Sequence, residues 1–295
     1  MRILADLSNV VPHGWFRHPD SPLGRNSVGI KVFEMSFFDA FLLTGFLIIF
    51  FNTVLWLVSL ILKDASIIDP CWGLLFLIAG VNYFLIFNNG FQWRPQLLLG
   101  LVILWSLRLS LYLAWRNWGE EEDFRYQKWR RENGPRWWWF SYFKVFLRQG
   151  VIAWIISTPM LAVHAAERPL NLLDFLGVAF WLLGFLFETV GDWQMARFRN
   201  HPENRGKVLN KGVWALTRHP NYFGEAAQWW GFFLLAAAAG GFWTVYAPLL
   251  MTFLLLKVSG VVMLEESLVA AKPHYRRYME TTSSFVPWFP GKNKS

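Results

Sequence analysis

A chain of 295 residues with 55% hydrophobic, 19% aromatic and only 16% charged residues does not have the composition of a soluble enzyme. Its 19 tryptophans are typical of the interfacial belts of membrane proteins. The net charge of +8 lies mostly in predicted loops, so membrane orientation explains it better than a nucleic-acid partner. The single cysteine, Cys71, excludes an intrachain disulfide and a multi-cysteine metal site.

Residues 1–35 contain basic, proline and glycine residues without an apolar core and cleavage site, which predicts a surface extension or lid and not a signal peptide. Apolar segments of spanning length follow, and they predict an all-α integral membrane protein with seven transmembrane helices. The predicted spans are 37–62, 66–88, 95–115, 144–164, 171–196, 221–240 and 242–264. Residues 36–295 are therefore expected to form one membrane domain that ends in a polar tail.

The basic residues of the predicted loops are distributed unequally across the membrane. Most of them lie on the side that holds residues 63–64, 116–144, 197–218 and the C-terminal tail. The positive-inside rule places this side in the cytoplasm and the N-terminus outside. We expect a monomer in a bacterial inner membrane.

Charged side chains at the ends of two predicted spans are costly unless they are paired or bind a ligand. Asp69 is either a helix cap or a carboxyl that lines a pocket and donates a proton or a hydrogen bond. Arg108, Tyr112 and Arg116 share one face of the third span. Arg108 either extends toward the interface or, as we favour, helps to bind phosphates.

Two carboxylates one turn apart mark the fifth span. Glu188 and Asp192 either form an internal ion pair with Arg108 or Arg197, or accept hydrogen bonds from ribose hydroxyls or an amide. Arg199 follows them at the end of the same span. In both alternatives, the ion pair and the binding of a ligand, the two carboxylates lie on one face of the helix.

Two loops near the predicted cytoplasmic surface carry further candidates. Residues 119–126 are either a solvated acidic turn or, through Arg125 and Tyr126, a stacking and phosphate-binding pair. In the tail, Glu265 and Tyr275 lie among basic residues that are otherwise explained by contact with the lipid surface. Paired-histidine metal motifs, G-x-G-x-x-G and G-x-S-x-G are missing from the sequence, so we expect neither a metal, a Rossmann domain nor a serine hydrolase.

The densest polar run is Arg218-His219-Pro220-Asn221-Tyr222-Phe223-Gly224-Glu225, which leads directly into an apolar segment. Pro220 suits the first turn of a helix, and a helix start favours a nearby anion. The run therefore predicts an anionic, nucleotide-like ligand where this loop meets the membrane.

This run, with Asp192 upstream and Lys272-Pro273-x-Tyr275 downstream, resembles the C-terminal region of the steroid 5α-reductase family. The patterns Asp69-x-x-Trp72-Gly73 and Glu122-Asp123-x-Arg125-Tyr126 resemble its bacterial branch, the DUF1295-type membrane reductases. The resemblance covers roughly residues 36–290. Sterol reductases and isoprenylcysteine carboxyl methyltransferases share the Arg-His-Pro-x-Tyr core.

The resemblance implies a membrane reductase that binds NADPH in a cytoplasmic cavity and reduces the conjugated C=C bond of a 3-oxo-Δ4-steroid or a similar enone lipid. Asp69 would be the catalytic acid or hydrogen-bond donor. The implied cofactor-binding residues are Arg108, Tyr112, Arg116, Arg125, Tyr126, Glu188, Asp192, Arg199, Arg218, His219, Asn221, Tyr222, Glu225, Glu265 and Tyr275. The alternative function is an S-adenosylmethionine-dependent methyltransferase that acts on a membrane-embedded acceptor.

Within that set the resemblance implies different roles. Asn221 and Glu225 would contact the nicotinamide end or order the pocket, and Asp192 and Arg199 would hold the ribose and the phosphates. The sequence also departs from the animal enzymes. Asp69 lies where they have a Gln-Glu pair, Trp105 lies where they have a tyrosine, and Glu188 replaces an asparagine. These departures concern the steroid substrate more than the cofactor.

Overall fold

The computed structural model describes residues 35–87, 90, 92–258, 261, 265, 268–269, 272 and 274–291. The regular secondary structure of these residues is entirely helical, which confirms the all-α prediction. The predicted N-terminal extension lies outside the described residues, apart from Met35.

Five helices are long and apolar enough to cross a membrane. They are α1 (Phe37–Leu62), α2 (Ile68–Phe87), α3 (Trp93–Asn117), a segmented helix over Phe124–His164, and the helix Leu172–Arg199. Large apolar side chains, such as Phe46, Phe50 and Ile61 of α1, are exposed on their outer faces. These faces fit a lipid environment, so the chain is a multi-pass membrane protein.

The fourth span is longer and more segmented than predicted. A loop was expected over 116–144, but the helix begins at Phe124, because Asp123 caps it by accepting a hydrogen bond from the Arg125 backbone N–H. Its pieces are α4 (Phe124–Asn133), a 3-10 turn (Gly134–Arg136), α5 (Trp137–Ser141), a π-helical turn (Tyr142–Leu147), α6 (Arg148–Ile156) and α7 (Thr158–His164).

The break between α6 and α7 has a local cause. Pro159 has no backbone N–H to donate to the preceding turn. The hydroxyl of Thr158 instead donates to the carbonyl of Ile155, at 3.1 Å. The side chains next to the proline thus replace part of the missing helical hydrogen bonding.

The fifth span is α8 (Leu172–Arg199), and the short helix α9 (Val213–Leu216) follows it. The sixth predicted span forms α10 (Pro220–Ala238), which is not among the five because polar residues interrupt its apolar character. The seventh forms a shorter apolar helix, Phe242–Val258, that contains α11 (Tyr246–Phe253), and α12 (Tyr275–Thr281) lies in the tail. The predicted count of seven spans is therefore not confirmed.

Helices α8 and α10 pack backbone to backbone. Glycines at seven-residue intervals, Gly177 and Gly184 on α8 and Gly224 and Gly231 on α10, face one another. A Cβ atom on Gly184 would lie 2.4 Å from the carbonyl oxygen of Gly224. Small residues permit this close approach. This close approach brings Glu188, one turn after Gly184, into direct contact with Gln228, one turn after Gly224.

Candidate functional site

A buried polar cluster forms where α3, α8 and α10 meet. The guanidinium of Arg108 contacts Glu188 Oε1 through Nη1 at 2.6 Å and Asp192 Oδ2 through Nη2 at 2.5 Å. On α10, Gln228 Nε2 donates to Glu188 Oε2 at 2.6 Å, and Asn221 Nδ2 donates to Asp192 Oδ1 at 3.4 Å. We call these five residues the carboxylate cluster. Of the two alternatives for its carboxylates, the internal ion pair is present.

The carboxylate cluster carries more negative than positive charge. Arg108 is its one cation, and a third carboxyl, that of Glu225, lies beside it within reach of the Trp72 indole. The buried Oε1 of Gln228 has no hydrogen-bond partner among the described residues. Since buried polar atoms are normally satisfied, the cluster has hydrogen-bonding capacity left for a ligand.

Exposed cations without carboxylate partners among the described residues lie next to the cluster. The guanidinium carbons of Arg108 and Arg116 lie 5.6 and 5.9 Å from the centroid of the Tyr112 ring. Arg116 and Arg199 are exposed, and no carboxylate of the described residues forms an ion pair with either. Arg197, the other partner considered for the carboxylates, lies over Trp193 instead. Free guanidinium groups beside a tyrosine ring suit the binding of phosphates.

Asp69 is engaged by side chains of α4 and is not a helix cap. It lies in the first turn of α2, which begins at Ile68. Its Oδ2 accepts from Arg125 Nη2 at 2.8 Å, and its Oδ1 accepts from the Tyr126 hydroxyl at 2.6 Å. Asp69 thus lies inside the helix and not at the cap position that precedes it, and groups distant in sequence bind both of its carboxylate oxygens.

The acidic turn before α4 is only partly solvated. Glu122 forms an ion pair with Arg130 at 2.7 Å and accepts from the backbone N–H of Ala65 at 2.8 Å. Burial alone would raise the pKa of Asp123, but hydrogen bonds and charge from Arg125 hold it below its ordinary value. The turn thus fastens α4 to the start of α2, which keeps Arg125 and Tyr126 in place.

The Asp69 group and the carboxylate cluster lie close together. Arg116 interacts electrostatically with both Asp69 and Asp192, and Tyr222 interacts with Arg125 and Asp192. The structure therefore brings most of the predicted site residues to one end of the bundle, where α2 and α10 begin and α3 and α8 end.

Arg218 and His219 contact groups of the C-terminal segment. Arg218 contacts Glu265 through Nε at 2.6 Å, and its Nη1 donates to the carbonyls of Met279 and Thr282 at 2.9 and 2.6 Å. His219 Nε2 lies 3.0 Å from Glu265 Oε1. Burial would raise the pKa of Glu265, but hydrogen bonds from His219 and Arg218 hold it below its ordinary value. This group anchors the C-terminal segment.

The remaining predicted residues lie next to these groups. Tyr222 stacks on His219 with nearly parallel rings, 5.5 Å apart. Tyr275 is buried with its ring 5.7 Å from that of Tyr278, within the C-terminal segment. Tyr275 therefore supports the anchor formed by Arg218, and it is not in contact with the carboxylate cluster in any interaction described here.

An aromatic cluster lies directly inward of the polar groups, formed by Trp72, Phe76, Trp105, Trp229 and Phe232. Phe76 lies 4.6 Å from Trp229 and 5.6 Å from Trp105, between ring centroids. The indole N–H groups of Trp105 and Trp229 are buried without partners among the described residues. Sequence reasoning missed Trp229 and Gln228. The sequence signal for Gln228 is a polar residue one turn after Gly224 within an apolar segment, and Trp229 is its neighbour.

The helices and this site define a multi-pass membrane protein with a buried, charged cluster at one end of its helical bundle. Residues 55–282 match the DUF1295 family, described as proteins of unknown function, and the chain belongs to that family. It is also 27% identical over 278 residues to an uncharacterized protein of the fission yeast Schizosaccharomyces pombe. That match covers 82% of this chain and 78% of the relative. No solved structure matches the chain.

Proposed function

We propose that this protein is a membrane-embedded, NADPH-dependent reductase of a C=C bond conjugated to a ketone, as in a 3-oxo-Δ4-steroid or a similar enone lipid. One observation carries the proposal. A polar cluster with unsatisfied hydrogen-bonding capacity lies between exposed cations, among them Arg116, and a buried aromatic cluster. This order suits a phosphorylated cofactor that meets a flat apolar substrate.

The cofactor would be held mainly by side chains of α3, α8 and α10. Arg116 and Arg199 supply positive charge for its phosphates. The carboxylates of Asp192 and Glu188 accept hydrogen bonds from ribose hydroxyls, while Arg108 keeps both carboxylates oriented. The unpartnered Oε1 of Gln228 can accept a hydrogen bond from an amide group. NADPH supplies the hydride when it is bound.

The substrate would lie against the aromatic cluster. Aromatic walls exclude water and orient a flat ring system, so that its unsaturated carbon faces the cofactor. We assign to Asp69 and the Tyr126 hydroxyl the hydrogen-bond donation that stabilises negative charge on the ketone oxygen after hydride adds to the β-carbon. Water supplies the proton that then adds to the α-carbon. Asp69 must be protonated and must exchange at least one of its present contacts to take this role, and the Tyr126 hydroxyl must turn from Asp69 to the ketone oxygen.

The same proposal includes the membrane topology. We assign α10 and the helix Phe242–Val258 as the sixth and seventh spans. The site end of the bundle then faces the cytoplasm, together with the C-terminus. The protein acts as a monomer in a bacterial inner membrane.

One feature favours the methyltransferase as a second candidate. The excess of carboxylates in and beside the cluster would attract the cationic sulfonium of S-adenosylmethionine, whereas the free arginines favour a multiphosphate ligand. Thermal-shift titration of the purified protein with NADPH and with S-adenosylmethionine separates the two. We expect stabilisation by NADPH alone, followed by NADPH oxidation with a panel of enone lipids. Stabilisation by S-adenosylmethionine alone would replace the reductase with the methyltransferase.

The role of Asp69 is tested separately. Asp69→Asn should lower turnover strongly and leave NADPH binding nearly unchanged, because the residue acts on the substrate. Asp64→Asn, at the same end of the bundle, is the control. Turnover equal to that of the control would remove Asp69 from the mechanism.

A further inference from the structure

A cavity of about 520 Å³ lies between the segment that leads into α9 and the C-terminal segment around α12. Its volume falls within the range of small-molecule sites, roughly 300–1,000 Å³. Three basic side chains line it, those of Lys207, His274 and Arg277, and none of the described residues of its wall carries a carboxylate. Polar groups of Asn210 and Thr281 line it as well. The cavity is thus suited to an anion.

The walls of this cavity are held in place before any ligand binds. The hydroxyl of Tyr278, which lines the cavity, donates to the carbonyl of Trp214 in α9. Arg218 holds the end of α12 through the carbonyls of Met279 and Thr282. The backbone N–H of Trp288 donates to Leu216 at 2.9 Å. These contacts join the two sides of the cavity.

A row of cations connects this cavity with the carboxylate cluster. Lys272 Nζ donates to the backbone carbonyl of Lys207 at 2.8 Å. Lys272 also lies close enough to Arg199 for their charges to interact, and Arg199 interacts in the same way with Tyr112. Positive charge therefore runs from Arg199, beside Tyr112, through Lys272 to the cavity.

We propose that this cavity binds the adenosine end of NADPH and that Lys207 and Arg277 recognise its 2′-phosphate. The inference rests on the proposed function. The nicotinamide end must lie inward, beside the aromatic cluster, so the opposite end of an extended dinucleotide extends toward the water-facing cavity. A phosphate monoester carries roughly −1.5 to −2 charges, which the positive charges of Lys207 and Arg277 balance, and an arginine is the usual partner of this phosphate.

The test compares NADPH with NADH, which lacks the 2′-phosphate. Dissociation constants are measured for the full chain in detergent, for the wild type, for a double variant Lys207→Gln/Arg277→Gln and for Arg276→Gln. Arg276 is the adjacent exposed arginine of α12 and does not line the cavity. We expect the double variant to bind NADPH about tenfold more weakly with NADH affinity unchanged, and Arg276→Gln to bind like the wild type. Adenosine 2′,5′-bisphosphate should compete with NADPH for the wild type.

The outcomes separate this inference from the function on which it rests. Equal affinity of the wild type for NADPH and NADH, or equal losses for both in the double variant, would overturn the cavity assignment and leave the reductase standing. The same holds if Arg276→Gln weakens NADPH binding as much as the double variant. Binding of neither dinucleotide by the wild type would remove the reductase and the cavity assignment together.

Discussion

Two buried arginine clusters join α3 to α8, and they differ in what they leave unpaired. Arg94 contacts Asp174, and Arg108 contacts Glu188 and Asp192. Both arginines lie 80 positions before their first partner, so the two helices run in parallel. The clusters are separated by 14 residues, or about 21 Å of helix.

The first cluster is closed. Arg94 donates to both oxygens of Asp174, at 2.6 and 2.8 Å, and to the carbonyls of Arg168 and Pro169, both at 2.8 Å. The two side chains are only 2% and 3% exposed. One positive charge meets one negative charge, and the arginine's donors are directed at acceptors of the protein. This cluster fastens the two helices together.

The second cluster is open. Arg108 is 14% exposed and faces two carboxylates, and the Oε1 of the neighbouring Gln228 has no partner among the described residues. The comparison teaches that an arginine inside a spanning helix does not by itself mark a binding site. Two properties distinguish a purely structural ion pair from a candidate binding site. They are the balance of positive and negative charges and the number of polar atoms without a hydrogen-bond partner.

The largest effect is expected where the closed cluster is broken. Asp174→Ala leaves the guanidinium of Arg94 buried without a carboxylate, which should destabilise the protein by about 3–5 kcal/mol. Unfolding in detergent by heat or SDS measures the loss, with the exposed Glu120→Ala as control. A loss below about 1 kcal/mol would show that Arg94 finds other partners.

The next effect concerns the helix contact that assembles the open cluster. Gly184→Ala places a Cβ atom 2.4 Å from the Gly224 carbonyl oxygen, and such overpacking costs about 1–3 kcal/mol. Gly100→Ala is the matched control, since a Cβ atom there meets nothing within 4 Å. We also expect Gly184→Ala to weaken NADPH binding, because it displaces Gln228 from Glu188. Equal stability of the two variants would contradict the backbone contact.

A smaller change in stability is expected within the open cluster itself. Glu188→Gln keeps the shape of the side chain and leaves Arg108 paired with Asp192, so stability should change by no more than about 1 kcal/mol. NADPH affinity should fall about tenfold, because an acceptor for the ligand is lost. Stability and binding are measured on the same preparation. A destabilisation as large as that of Asp174→Ala would make this cluster a second fastening.

The smallest effect is expected at the ion pair of Arg218 and Glu265, whose side chains are 8% and 12% exposed. The pKa of Glu265 is below its ordinary value of 4.5, so its stabilising contribution is present above about pH 4.5 and is lost as the pH falls through the lower, folded-state value. We expect a contribution of about 1 kcal/mol, because the carbonyls of Met279 and Thr282 still accept hydrogen bonds from Arg218 when Glu265 is protonated. The hydrogen-exchange protection factors of residues 274–291 should fall on acidification in the wild type. In Glu265→Gln that pH dependence should be absent, and an unchanged dependence would assign it to another group.

Sequence reasoning located the apolar spans well and counted them less well. Length and hydropathy are local properties, so α1, α2, α3 and α8 could be predicted from the chain directly. Hydropathy alone does not decide whether segment 221–240 crosses the membrane, because the segment contains polar residues that are buried against α8 in the folded protein. The helix before residue 144 was also missed, since its stability depends on the cap at Asp123 and on packing of α4 beside α2.

For the candidate site, the residue types were predictable and their partners were not. The four-residue spacing of Glu188 and Asp192 placed both on one helix face, as observed. The sequence offered Arg108 and Arg197 equally as partners, and the approach of α3 to α8 selects Arg108. It also grouped Arg218 with the cofactor residues, although the carbonyls that bind Arg218 lie more than 60 positions away.

The sequence alone determined that this protein is helical, apolar and built around charges that a membrane does not tolerate unpaired, because composition and spacing act within one turn or one span. Only the tertiary structure decided which charges neutralise one another and which remain available. That decision depends on distances between helices far apart in the chain, which the glycine contact of α8 with α10 and the anchoring of the C-terminal segment fix.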